Sequence, residues 1–144
     1  MVIEVRHIGI VVKNIENSLK FYRDILELEI QRTMDESGDY INNMLGLENV
    51  KVKTVKLSAP SGPTLVELLE FSNPEGNPLS RNVHDLGASH VAFTVSNIDE
   101  IYQKLTESGV KFNAPPQLSP DGYAKVTFCL DPDNTPVELV QVLN

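Results

Sequence analysis

Arg6-His7-Ile8-Gly9-Ile10-Val11-Val12-Lys13-Asn14-Ile15-Glu16 decides the fold, because the chain repeats it 83 residues later as Ser89-His90-Val91-Ala92-Phe93-Thr94-Val95-Ser96-Asn97-Ile98-Asp99. His, Val, Asn and Ile recur identically, and Asp99 stands in for Glu16. A second match joins Pro60-Ser61-Gly62-Pro63-Thr64-Leu65-Val66-Glu67-Leu68 to Pro132-Asp133-Asn134-Thr135-Pro136-Val137-Glu138-Leu139. There the offset between the glutamates has fallen from 83 to 71, so the first copy holds 12 additional residues. The excess is placed around Ser37 to Leu47, where Tyr40, Ile41, Met44 and Leu45 suggest a short extra helical turn. Self-similarity of this kind signals duplicated supersecondary units. The expected organisation is one domain over 1–144, with a first module at 1–71, a Pro-, Gly- and Asn-rich connector at 72–88, and a second module at 89–144.

Each copy has the same element order. An opening strand, about Ile3–Val12 or Ser89–Val95, leads into a helix. Ile15, Leu19, Tyr22 and Leu26 fall on one helical face, as do Ile98, Ile101, Tyr102 and Leu105. Asn14 and Asn97 are suited to N-caps, Asn97 with Glu100 resembles a capping box, and Gly109 can stop the second helix. Three strands follow: Leu28–Met34, Lys51–Ser58 and Thr64–Phe71 in the first copy, then a weak Val110–Asn113, Lys125–Leu130 and Val137–Leu143 in the second. Gly62 and Asn134 sit in turns where positive φ is tolerated. The fold class is therefore α+β, built as βαβββ twice.

Composition narrows the function. A chain of 144 residues with 41% hydrophobic residues is not disordered. No apolar run approaches the roughly 20 residues needed to span a bilayer, so no membrane partner is expected. Twenty acidic against 12 scattered basic residues give a net charge of −8, the wrong sign for a nucleic-acid binder. The single cysteine, Cys129, cannot form an internal disulfide, and the opening residues lack a secretion signal; a cytoplasmic location is expected.

Strand alternation then assigns faces. Ile8, Ile10 and Val12 should meet the helix, leaving His7, Gly9 and Val11 on the other side. In the second copy Val91, Phe93 and Val95 take the helix side, leaving His90, Ala92 and Thr94 opposite. Glu67 shares a face with Leu65 and Leu69, and Glu138 with Val140. A carboxylate among apolar neighbours is costly unless paired, hydrogen-bonded or metal-bound. Two histidines and two glutamates suffice to ligate a divalent cation such as zinc, nickel, cobalt, manganese or iron(II). Four ligands on a six-coordinate ion leave two positions for substrate oxygens. The plainer reading is two hydrogen-bonded strand histidines and two edge glutamates.

His7-Ile8-Gly9-Ile10-Val11-Val12, Phe21-Tyr22-Arg23-Asp24-Ile25-Leu26, Val66-Glu67-Leu68, His90-Val91-Ala92-Phe93 and Asp131-Pro132-Asp133-Asn134 with Glu138-Leu139 together resemble the vicinal-oxygen-chelate superfamily, which includes glyoxalase I (lactoylglutathione lyase), methylmalonyl-CoA epimerase, extradiol dioxygenases and bleomycin-resistance proteins. The resemblance implies a curled, partly open mixed β-barrel around a metal site, with helices outside. It implies His7, Glu67, His90 and Glu138 as metal ligands, and Glu138, or alternatively Glu67, as the catalytic base. The His-Glu-His-Glu set is most similar to glyoxalase I; the epimerase commonly has Gln at the second position. A metal-dependent lyase, isomerase or epimerase acting through an enediolate is thus expected, on a small molecule with vicinal oxygens such as a glutathione or CoA thioester, in a homodimer. A ferrous extradiol dioxygenase and a non-catalytic antibiotic-binding protein are the alternatives.

Other residues carry weaker expectations. His84 in the connector should be solvated, Glu70 should point away from Glu67, Tyr123 can cap a pocket or lie on a surface loop, and Cys129 should be packed. Lys51, Lys53 and Lys56 form either an exposed face or an anion-binding rim.

Overall fold

A computed structural model describes residues 1–79 and 82–143, so Ser80 and Arg81 of the expected connector and the terminal Asn144 lie outside the described residues. The chain divides into two compact units, Met1–Pro78 and Leu79–Asn144. In the first unit β1 (His7–Val11) leads to α1 (Ile15–Leu19), then β2 (Glu29–Ser37), α2 (Asp39–Leu45), β3 (Lys51–Ser58) and β4 (Leu65–Asn73). The second unit has β5 (Val91–Thr94), α3 (Ile98–Glu107), β6 (Gln117–Leu118), β7 (Ala124–Leu130) and β8 (Pro136–Val142). Each unit folds into one open four-stranded mixed sheet, ordered β1-β4-β3-β2 in the first and β5-β8-β7-β6 in the second. In both, the first and last strands of the unit run parallel and the other neighbours are antiparallel.

Register repeats as well. Gly9 lies opposite Glu67 in the first sheet, and Ala92 opposite Glu138 in the second. On the helix side of the first sheet, Ile10, Val55, Leu57, Val66 and Leu68 are buried with Ile15, Leu19, Phe21 and Tyr22. On that side of the second, Val91, Cys129, Val137 and Leu139 are buried, as are Ile98 and Leu105 of α3. Full burial of each such aliphatic side chain stabilises by about 1.5–3 kcal/mol.

The duplication extends to how each helix begins. Asn14 Oδ1 accepts from Asn17 N at 2.8 Å, and Asn97 Oδ1 from Glu100 N at 3.2 Å. The first helical N–H is met from the sheet instead: Glu70 Oε2 accepts from Ile15 N at 2.6 Å, and Gln141 Oε1 from Ile98 N at 2.9 Å. Glu70 and Gln141 each lie three residues past the candidate ligands Glu67 and Glu138, on the opposite face. Removing such a partner orphans a helix-end donor. Glu70→Ala should therefore lower stability by about 1 kcal/mol in urea titration, whereas Glu70→Gln, with the amide already used at 141, should cost little.

Four expectations need correction. The first strand starts at His7, not Ile3, because its partner β4 starts at Leu65, and Pro63, next in line, has no N–H to offer. The helix expected over 15–26 is α-helical only to Leu19; Lys20–Ile25 is a π-helical segment, with Leu26 N bonded to Phe21 O at 3.0 Å. The wider turn brings both Phe21 and Tyr22 inward, their rings edge to face at 4.9 Å. At 110–113 there is no strand, only a bridge from Phe112 to Cys129. Pro115 and Pro116 interrupt the pairing, and the fourth strand of the second sheet is Gln117–Leu118. β5 is shorter than expected, so His90 sits one residue before it.

The additional residues of the first copy do form a helix. Ile41 of α2 packs with Val50 and Val52, against Leu69 and Phe71. Val52, Leu69 and Phe71 share the face of Glu67, so α2 walls one end of that face. The second unit has no counterpart among the described residues.

Candidate metal centre

Parallel pairing of β1 with β4 sets His7 diagonally across from Glu67, on the sheet face away from α1. Gly9, directly opposite Glu67, keeps the space beside the imidazole open; a Cβ there would approach Leu69 Cδ1 to 3.4 Å. His7 Nε2 lies 2.9 Å from Glu67 Oε2. The second unit reproduces this, with Ala92 opposite Glu138 and His90 Nε2 at 3.0 Å from Glu138 Oε2. The glutamate side chains are the more enclosed partners, 12% and 22% exposed, against 33% and 46% for the histidines.

An octahedral ion with bonds of about 2.1 Å sets adjacent donors about 3.0 Å apart. The same spacing is that of an ordinary hydrogen bond, so each His–Glu pair is hydrogen-bonded here at a distance compatible with one edge of such a shell. The donor set, imidazole nitrogen with carboxylate oxygen, suits borderline divalent metals. His7 Nδ1 is buried without a hydrogen-bond partner among the described residues. Ligation through Nε2 would place the proton on Nδ1, which has no acceptor among the described residues, whereas Nε2 lies at hydrogen-bond distance from Glu67. Among the described residues no group of three or more His, Cys, Asp or Glu side chains is gathered so that it could hold a metal ion. Each unit brings together one imidazole and one carboxylate.

The two His–Glu pairs have different surroundings. Lys56 lies opposite Glu67 in the β3–β4 ladder, with Nζ 3.7 Å from Glu67 Oε1. The corresponding place beside Glu138 is held by Phe128, whose ring packs edge to face on His90 at 5.0 Å. Sequence reading did not single out Phe128, nor the Lys56–Glu67 contact, although counting back from each hairpin turn finds both.

The remaining candidates separate. His84 is exposed, Tyr123 is exposed before β7, and Lys51 and Lys53 lie exposed on strand β3. Lys53 pairs with Glu70, and Lys56 with Glu67, so the lysines do not share one rim. Cys129 is fully buried. Burial, reinforced by the Asp131 charge, pushes its thiol up to about 12, which removes it as a nucleophile at neutral pH.

Residues 4–139 match the family described as the Glyoxalase/Bleomycin resistance protein/Dioxygenase superfamily, and the chain belongs to it. An uncharacterised Bacillus subtilis protein, YwkD, is 30% identical over 139 residues, covering 95% of each chain. A 2-epi-5-epi-valiolone epimerase from Actinomyces sp is 24% identical, covering 83% of this chain and 67% of that one. A lactoylglutathione lyase from Schizosaccharomyces pombe is 27% identical; the match takes in 95% of this chain but 47% of the yeast protein. Among solved structures, a glyoxalase family protein from Bacillus cereus superposes with a TM-score of 0.90 at 21% identity, covering 100% of this chain and 97% of that one. No helix among the described residues is long and apolar enough to cross a membrane.

Proposed function

We propose that this protein is a divalent-metal-dependent isomerase or lyase of the glyoxalase type, moving a proton on a carbon next to a carbonyl, with epimerisation as the same chemistry on a different substrate. His7, Glu67, His90 and Glu138 hold one ion of zinc, nickel, cobalt, manganese or iron(II). The observation behind this reading is the duplicated His–Glu pair, 2.9 Å in one unit and 3.0 Å in the other, at matching register in a chain of this superfamily. The four-ligand set is the one that the resemblance to glyoxalase I implies.

A bound divalent ion supplies Lewis-acid polarisation of two vicinal oxygens of the substrate, worth several kcal/mol. The chain supplies the proton transfer. Glu138 takes the proton from the carbon beside the carbonyl and returns it to the neighbouring carbon for isomerisation; for epimerisation a second acid delivers the proton on the opposite face, and Glu67 is the symmetric candidate. Electrons and protons balance within the substrate, so no redox partner enters. Similarity to a lactoylglutathione lyase and to a 2-epi-5-epi-valiolone epimerase supports both outcomes; a glutathione or CoA thioester is the substrate class proposed.

Metal analysis of protein purified without chelator tests the assignment, alongside His90→Ala and Glu138→Ala. The wild type should retain one divalent ion per four-ligand site, and each substitution should lower occupancy about 10-fold or more. Refilling metal-depleted protein should restore turnover of a hemithioacetal or an acyl-CoA epimer. Unchanged occupancy in both variants would overturn the ligand set. Iron-dependent oxygen uptake with a catechol, or ligand binding indifferent to metal removal, would overturn the reaction class.

A further inference from the structure

The two oxygens of Glu67 have different partners. Oε2 lies 2.9 Å from His7 Nε2, and Oε1 lies 3.7 Å from Lys56 Nζ. Lys56 stands directly opposite Glu67 in the β3–β4 ladder, and among the described residues it is the lysine paired with that carboxylate. Both side chains are mostly enclosed, so water and salt screen the pair less than an exposed one. The second unit lacks this contact. Glu138 Oε2 meets His90 Nε2 at 3.0 Å, but the residue opposite Glu138 is Phe128, and no lysine or arginine pairs with Glu138 among the described residues.

Neighbouring charges hold Lys56 to that contact. A β-bulge between Ile30 and Arg32 sets Arg32 opposite Lys56 on the face away from α1, where an unbroken ladder would set Gln31. Cations directly opposite each other across strands repel, which favours the side of Lys56 that faces Glu67. Glu29, opposite Ser58, shares the face of Arg32. Two cations and two carboxylates thus balance along this row, and Lys56 is committed to Glu67 rather than open to a further anion.

A carboxylate can bind an ion through one oxygen or through both. We infer that Lys56 is a positioning residue that keeps Oε1 of Glu67 from the ion, so that Glu67 ligates through Oε2 alone and a coordination position stays open for a substrate oxygen. Charge gives the direction. An ion drawn onto Oε1 would approach the Lys56 ammonium, and the two cations repel; an ion drawn onto Oε2 meets His7 Nε2 instead. Four ligands that each give one atom leave two positions of an octahedral shell, the number that vicinal oxygens need. A chelating Glu67 would take one of them. This inference rests on the metal reading of His7, Glu67, His90 and Glu138.

Water-proton relaxation of the manganese-loaded protein, which counts exchangeable waters on the ion, tests it. Calorimetric titrations of zinc, and of acetohydroxamate onto zinc-loaded protein, accompany it. The wild type should carry about two waters on the ion and Lys56→Met about one. Lys56→Met should bind zinc as tightly as the wild type or more tightly, yet bind acetohydroxamate, a bidentate oxygen chelator, about 10-fold more weakly. Lys56→Gln, also uncharged, should show the same split, so the result does not hang on the folding of one variant, and Lys56→Arg should keep the wild-type values. Equal water counts in wild type and both uncharged variants, or zinc and acetohydroxamate weakened together, would overturn the role of Lys56 and leave the four-ligand reading standing. Failure of the wild type to hold zinc or manganese would instead overturn the metal reading and this inference with it.

Discussion

Glu138→Gln should lower turnover about 1000-fold, within the range for loss of a positioned general base, whereas Glu67→Gln should stay within about 10-fold of wild type. The two glutamates occupy matching positions on repeated sheets, so symmetry alone assigns them equal roles. Their partners differ. Glu67 is held from two sides, by His7 at 2.9 Å and by Lys56 at 3.7 Å. Among the described residues Glu138 has His90 as its polar partner at 3.0 Å, and the cross-strand place beside it is aromatic. A carboxylate tethered twice is suited to stay as a ligand. One tethered once, beside a ring that offers no hydrogen bond, is suited to leave a ligand position and reach a substrate C–H. The amide at 67 keeps an oxygen donor, as the resemblance to epimerases with Gln at this position implies.

The measurement is turnover of metal-reconstituted variants on a hemithioacetal, with metal content determined on the same samples. Comparable metal content with a large loss at 138 and a small one at 67 assigns proton transfer to Glu138. The reverse pattern would move the base to Glu67, and equal losses would mean that both act chiefly through the charge they bring to the ion.

Much of this was readable from the chain because it was written twice. One His-x-Gly/Ala strand beside one Glu strand is an ordinary pattern; the same pair again, with the same capping asparagine, fixes face and register together. What escaped the reading has a common cause. Alternation gives the face of a residue only while the ladder is unbroken, so the bulge before Arg32, which reverses that residue's side, could not be counted from Glu29 onward. The π-helical segment at Lys20–Ile25 likewise changes the period on which the helical face was counted. Pro115 and Pro116, which have no N–H to donate, mark the loss of pairing after Asn113. Alternation places Glu70 away from Glu67, but it does not single out Gln141, and the task of both at the helix ends depends on which helix end the strand passes, which no local pattern records.

Leu68→Ala and Leu139→Ala should each cost about 2–5 kcal/mol in urea or thermal unfolding, a large share of the roughly 5–15 kcal/mol that stabilises a domain. The two leucines are repeat counterparts, each one residue past a candidate ligand glutamate and each fully buried. Leu68 lies between Ile10 and Val55 in the first sheet, and Leu139 between Phe93 and Thr127 in the second. Their side chains point to the helix side, opposite Glu67 and Glu138, so truncation leaves a cavity without touching the donors. Metal bound per folded molecule should accordingly stay at the wild-type level in both variants, while the unfolding midpoint falls. Glu138→Gln should do the opposite, losing turnover while its metal content and unfolding midpoint stay near those of the wild type. A Leu139→Ala variant that kept its midpoint but lost metal would mean that the helix side and the ligand side of that strand had been assigned the wrong way round.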